Sequence, residues 1–357
     1  MNSDETKHSQ HKLLFLLRTY NDLDHIAPVI WKAAKLGHET FFLFVSEDYS
    51  ADYRIKEIER VGSMKLHSTL IKFYFNRIRP NLILAIAKRV IDTILGAVEG
   101  RRFLIKHQVT CVVTEWGGPN GKGMTPLVLK PARRLGIPTV AIPHGYHTWL
   151  NEDFNEAVSA SLETIGKIPQ LENRNLFSAY VVQSENIKKY CERSGISNEI
   201  IRVLGSARFC REWFTINAGL CTQDNCQPEQ DDKITVLFFL SHWTYNVDRE
   251  ATISLIKRIA GQENIRLIIK GHTRGRHVGG LSAKEEGLLG NYPSVEYAEN
   301  NDHSPTLVAL SDIVIVYGSS ICFEALLQGK PVCRPQYLIS NTTIFDQSGM
   351  VFGANTE

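Results

Sequence analysis

The stretch DIVIVYGSSICFEALLQGKPV, Asp312 to Val332, decides the fold. Ile313 to Tyr317 is an unbroken apolar, β-branched run, the pattern of a strand covered on both faces. Gly318 ends it, Ser319 and Ser320 open a helix, and Glu324 follows one turn on. Gly329 closes that helix and Pro331 starts the next strand. Strand, turn, helix and strand in immediate succession make the repeating unit of a parallel sheet with crossover helices. The turn also suits an anion. Amides at the helix start and two hydroxyls form a candidate phosphate site at Gly318, Ser319 and Ser320, with Glu324 placed to accept from ribose hydroxyls.

Outward from this stretch the same alternation covers most of the chain. In the first half, strand-like runs at Leu13–Leu17, Thr40–Val45, Thr110–Glu115, Pro138–Pro143 and Ala179–Gln183 flank helical patterns at His25–Leu36, Ala51–Arg60, Thr125–Leu135 and Glu185–Arg193. A second series runs Ile234–Leu240, Arg266–Lys270, Val295–Ala298, Ile313–Tyr317 and Pro331–Arg334, with helices near Arg249–Ile259 and Ile321–Gln328. The pattern predicts an α/β chain of two Rossmann-like, doubly wound parallel-sheet domains. Between the series, CTQDNCQPEQDD interrupts the apolar periodicity. The expected division is residues 1–217, a linker at 218–233, and residues 234–357. No internal repeat and no low-complexity tract competes with this reading. The sequence reaches Glu357 without a last amphipathic helix, so the second domain is expected to be truncated at its C-terminus.

Composition narrows the class. The 357 residues suit about two domains, and 43% hydrophobic against 22% charged residues excludes wholesale disorder. Forty Lys and Arg against thirty-eight Asp and Glu leave a formal charge of +2, so a nucleic-acid partner is not expected. Seven scattered cysteines fit a reduced, cytoplasmic compartment, and Cys221 with Cys226 lacks the partners of a zinc site, so no metal and no cofactor are expected. The N-terminal MNSDETKHSQHK and the interruption of the next apolar run by Arg18 match neither a signal peptide nor a membrane span. Residues 64–106 depart from the alternation. They read as one or two helices broken at Pro80, with nine Lys and Arg, Lys65 to Lys106, facing Asp92 and Glu99. A helical pair inserted in the first domain is the preferred reading; a peripheral contact with an anionic membrane, or with a lipid-linked acceptor, is the other.

Four more motifs sit where strands end, which is where parallel sheets gather ligands. IPHGYHTW, Ile142 to Trp149, presents His144 beside a glycine, as a base able to take a proton near neutral pH. TEWGGPNGKG, Thr114 to Gly123, offers Glu115 to orient His144 or to act as an alternative base. KGHTRGR gathers Lys270, His272 and Arg274 for a diphosphate, and LSHWT adds Ser241 and His242. VLGSARF directs Arg208 either toward a cleft or into interdomain packing.

These motifs, in this order, resemble the GT-B enzymes of bacterial surface polysaccharide assembly, nearest to the CDP-glycerol glycerophosphotransferase group and the capsule polysaccharide transferases. The resemblance covers about Thr110 to Val332. It implies two domains facing a central cleft, an N-terminal acceptor domain and a C-terminal nucleotide-donor domain. It also implies His144 as base, His272 on the donor phosphate, and Ser319 with Ser320 on the diphosphate. Three departures, Ile142-Pro143 before the HG pair, the missing downstream Lys, and Tyr317-Gly318 before the serines, widen the expected donor from a polyol phosphate to a sugar. The expected reaction is metal-independent transfer from a CDP-, CMP- or UDP-linked donor to a surface glycan acceptor, on the inner face of the cell membrane or in the cytoplasm. Two alternatives stand beside it: a non-hydrolysing UDP-sugar 2-epimerase, and a non-catalytic nucleotide-sugar-binding module.

Overall fold

The computed structural model describes residues 10–45, 47–67, 98–116, 125–143, 145–221, 232–271, 280–298 and 302–356. Most of the basic 64–106 stretch lies outside them. The chain forms two compact units, Met1–Gly145 with Leu171–Trp213, and Tyr146–Gln170 with Phe214–Glu357.

The described strands of the first unit are β1 (Lys12–Leu17), β2 (Glu39–Phe44), β3 (Met64–Lys65), β4 (Cys111–Glu115), β5 (Thr139–Ile142), β6 (Ala179–Val182) and β7 (Ile201–Val203). They pair in parallel in the order β3-β2-β1-β4-β5-β6-β7. Side-chain alternation splits each strand between two apolar layers. Leu14, Leu16, Phe41, Leu43 and Val112 share a core with Val128, Leu129 and Ala132 of the helix Thr125–Arg134. The helix Tyr20–Lys35 packs on β1 and β2 and buries Leu23, Ile26, Ala27 and Ile30.

The second unit repeats the plan with β8 (Ile234–Phe239), β9 (Ile265–Lys270), β10 (Val295–Ala298), β11 (Ile313–Val316), β12 (Val332–Pro335) and β13 (Phe352–Ala354), ordered β10-β9-β8-β11-β12-β13. Among the described residues, its strand pairs are parallel. Phe238, Leu267, Ile269 and Ile315 pack with Ile253 and Ile256 of the helix Arg249–Ala260. The opposite parity, Leu237, Ile268, Val314 and Val316, packs with Val308, Ile321, Cys322 and Ala325. Both faces are therefore sealed, as a doubly wound sheet requires.

Residues 146–170 precede β6 and β7 in sequence but belong to the second unit. Trp149 forms an antiparallel bridge with Thr343, Leu150 N–H donates to the Thr342 carbonyl at 2.9 Å, and Ile344 N–H donates to the Thr148 carbonyl at 3.0 Å. Asn155 then caps the helix Glu156–Ile165, accepting from Val158 N–H, and Gly166 ends it at φ 65°. The sequence reading anticipated neither this helix nor Arg211–Cys221, which runs on past Asn217 into the expected linker. It also missed the short strands β3, β7 and β13 and the helices Ala283–Leu289 and Ser304–Leu310.

Candidate functional site

In a doubly wound sheet, ligands bind outside the carboxyl ends of the strands where the direction of crossover reverses. The strand orders put that point between β1 and β4 in the first unit and between β8 and β11 in the second.

At the first point Arg18, immediately after β1, meets Glu115, the last residue of β4, with 2.7 Å between Nη2 and Oε1. Glu115 is buried, while the Arg18 side chain is 43% exposed. Asp22, wholly buried at the start of the helix Tyr20–Lys35, fixes this loop. Its carboxylate accepts from the backbone N–H of Arg18 (2.7 Å) and Thr19 (3.0 Å) and from the Thr19 hydroxyl (3.0 Å). Trp116 donates its indole N–H to the Val181 carbonyl at 2.6 Å and stacks on Tyr180. The buried carboxylate can accept a hydrogen bond from a hydroxyl, and the half-exposed guanidinium that grips it can attract an anion. Arg18 was not singled out from sequence, although a charge that breaks an apolar strand at its carboxyl end was a usable signal.

Arg208 also lies in the first unit. Its guanidinium pairs with Asp24 at 3.1 Å and covers the Phe209 ring, while Ser206 Oγ lies 3.4 Å from His25 Nδ1. Asp24 bonds in turn to Arg54, which is fully buried, pairs with Asp52 at 2.7 Å and stacks over Tyr20. Burial opposes the Arg54 charge, but Asp24 and Asp52 outweigh it and hold the guanidinium protonated. The GSARF motif thus fastens the chain to the helix Tyr20–Lys35.

At the second point the loop after β8 holds Ser241 and His242, both half-buried. His242 Nδ1 accepts from the Thr244 N–H at 3.3 Å and lies 2.7 Å from its hydroxyl, which leaves the ring proton on Nε2 in the neutral tautomer. Lys270 ends β9 and is buried, and its carbonyl accepts from Leu240 N–H at 2.9 Å. Across the β8–β11 pairing, Tyr317 is buried with its hydroxyl 2.6 Å from that of Thr252. Gly318 follows at φ 151°, where a Cβ would lie 2.7 Å from Thr343 Cγ2 and 3.0 Å from the Trp149 ring, so glycine is required there. Ser319 is exposed and accepts from Ile321 N–H at 3.4 Å; Ser320 is half-buried, and Glu324 is buried within the helix Ile321–Leu327.

Two motifs far apart in sequence meet at this turn. The Thr148 hydroxyl donates to the Gly318 carbonyl, Tyr146 packs on Phe323 with ring centres 4.6 Å apart, and Trp149 lies against Gly318. His147 is edge-on to Phe154, and burial pushes its imidazole down to about 4, so it is neutral at physiological pH. Beneath them Arg334 donates to the carbonyls of Tyr317 and Asn341 and pairs with Asp346. His144, His272, Arg274 and the loop 117–124 lie outside the described residues. Among the described residues, no group of three His, Cys, Asp or Glu could hold a metal ion, and no helix is long and apolar enough to cross a membrane.

No family model matches the chain, and no curated relative matches it. Solved structures do. A UDP-GlcNAc 2-epimerase of Neisseria meningitidis, bound to UDP-GlcNAc, aligns over 95% of this chain and 84% of its own, with 16% identity and a TM-score of 0.53. A glycosyltransferase of Rickettsia africae aligns over 98% and 86%, with 13% identity and a TM-score of 0.57. The UDP-GlcNAc 2-epimerase of Methanocaldococcus jannaschii aligns over 92% and 85%, with 14% identity and a TM-score of 0.57. At such identities the likeness speaks for architecture alone, and with two doubly wound parallel sheets it identifies the fold as GT-B.

Proposed function

We propose that this chain is a GT-B enzyme acting on a nucleotide-activated donor, and that it transfers a sugar or polyol phosphate from a CDP-, CMP- or UDP-linked donor to a surface-glycan acceptor. The observation that carries the reading is the turn Gly318–Ser320 at the switch point of the second sheet, with Ser241 and His242 on the adjoining strand end. Ser319, Ser320, Lys270, His272 and Arg274 would bind the diphosphate, His242 would donate from Nε2, and Glu324 would accept from ribose. His144 would take the proton from the attacking acceptor hydroxyl, with Glu115, held by Arg18, as the orienting carboxylate. Arg208 has the weakest claim to the donor because Asp24 engages it. The resemblance to capsule polysaccharide and glycerophosphate transferases supports this choice of acceptor and a peripheral place at the membrane.

A second reading, UDP-sugar 2-epimerisation, is favoured by the likeness to UDP-GlcNAc 2-epimerases. One experiment separates the two. Purified protein is incubated with UDP- and CDP-linked donors, with and without glycan acceptor. Acceptor-dependent release of nucleotide, lost in His144→Ala with nucleotide binding retained, is expected of the transferase. A new sugar epimer formed without acceptor would establish the epimerase instead. Binding without either reaction would leave a non-catalytic module.

A further inference from the structure

The second unit contains an aromatic stack that the phosphate chemistry does not use. Phe154, Tyr245 and Trp149 lie in succession, with Phe154–Tyr245 ring centres 6.2 Å apart at 15° and Tyr245–Trp149 centres 5.6 Å apart at 26°. Two of the rings come from residues 146–170 and the middle one from the loop after β8. The stack is held by polar bonds as well as by packing. Asn341 donates to the carbonyls of Phe154 and Tyr245, and Asn246 donates to the carbonyl of Asp153 at 2.7 Å. Trp149 ends the ladder. Its benzo edge touches the Gly318 turn, next to Ser319, and the residue is only half-buried. His242 is edge-on to the same Tyr245, with 5.6 Å between ring centres.

We infer that Trp149 is the nucleobase-stacking residue of the donor site. This rests on the reading that a nucleoside diphosphate binds at the Gly318–Ser320 turn. A diphosphate on Ser319 leaves its base one ribose away, and the half-exposed indole at the end of this fixed stack offers a planar surface beside the turn, whereas the half-exposed rings of Tyr146 and Phe323 pack on each other. Aromatic side chains take up bases by their π-faces irrespective of base identity, so this contact selects a nucleotide over a bare phosphate rather than one base over another.

The test is equilibrium binding of UDP, CDP and inorganic pyrophosphate, read by calorimetry and by intrinsic tryptophan fluorescence. In the wild-type protein UDP and CDP are expected to quench the fluorescence saturably, and pyrophosphate is not. Trp149→Ala is expected to weaken UDP and CDP by about 5- to 150-fold, the range for losing one base–aromatic stack, while pyrophosphate affinity stays within about 2-fold. Trp149→Phe, which keeps a ring, is expected to restore most of the affinity and to lose most of the quench. Should Trp149→Ala fail to fold, the quench in Trp149→Phe decides alone. An undiminished quench in that variant, or equal loss of UDP and pyrophosphate in Trp149→Ala, overturns the assignment while leaving nucleotide binding intact. Absence of UDP and CDP binding to the wild-type protein overturns the donor reading itself, and this inference with it.

Discussion

Asn341→Asp is the sharpest probe of how residues 146–170 are joined to the second unit. Asn341 is 2% exposed. Its amide nitrogen donates to the carbonyls of Phe154 at 2.8 Å and Tyr245 at 2.9 Å, and its oxygen accepts from the side chains of Asn151 and Asn246, each at 2.9 Å. The orientation is not arbitrary, because two carbonyl oxygens can only accept and must face the NH2 end. Aspartate keeps the shape but turns a second oxygen toward those carbonyls. Each buried acceptor left without a donor costs about 1–3 kcal/mol, so the loss is expected to be about 2–6 kcal/mol. For a unit of this size that lowers its melting temperature by at least about 4 °C. Urea unfolding followed by tryptophan fluorescence gives the magnitude, and limited proteolysis shows whether cleavage within 146–170 accelerates. An unfolding free energy unchanged to within about 0.5 kcal/mol would refute the reasoning, since surface substitutions produce that much.

Further substitutions and a change of pH test other contacts. Gly318→Ala places a methyl 2.7 Å from Thr343 at a φ of 151° and is expected to cost about 2–4 kcal/mol in thermal unfolding; Gly166→Ala, at φ 65° with open space around it, should cost about 1 kcal/mol. Arg54→Leu leaves Asp24 and Asp52 without their buried partner and is expected to destabilise the first unit by about 3–5 kcal/mol, with Arg54→Lys a poor rescue because it lacks the planar fork. His147 titrates near 6.5 when unfolded but is held down to about 4 when folded, so the unfolded chain takes up its proton first. The stability it contributes is full above pH 6.5 and is lost as pH falls toward 4, by at most about 3 kcal/mol; in His147→Phe that part of the pH dependence of denaturant midpoints should vanish.

Much of the architecture was legible because buried parallel strands leave dense apolar runs. Ile313 to Tyr317 and Ile234 to Leu240 could be little else, and Gly318 marked the strand end, although the close approach of Thr343 and Trp149 that requires a glycine there was not legible. Short edge strands were not legible. Met64–Lys65 and Phe352–Ala354 carry too few residues for any period to show. The placement of residues 146–170 was hidden for another reason: it depends on Asn341, Thr343 and Thr148, polar residues whose partners lie over a hundred positions away. Neither Arg18 nor Trp149 stood out, one reading as the interruption of an apolar run and the other as the last residue of the HG motif. Glu115 was singled out as a carboxylate at a strand end, but its ion pair needed the strand order β1-β4.

The central claim is that a nucleotide-activated donor is held at the switch point of the second sheet. Hydrogen–deuterium exchange with and without saturating UDP or CDP tests it most directly. Slower exchange is expected at 240–245 and 318–323, and at 146–150 beside them, with little change at 18–22. Saturation by nucleotide with those three segments unaltered, or with protection confined to the first unit, would contradict it.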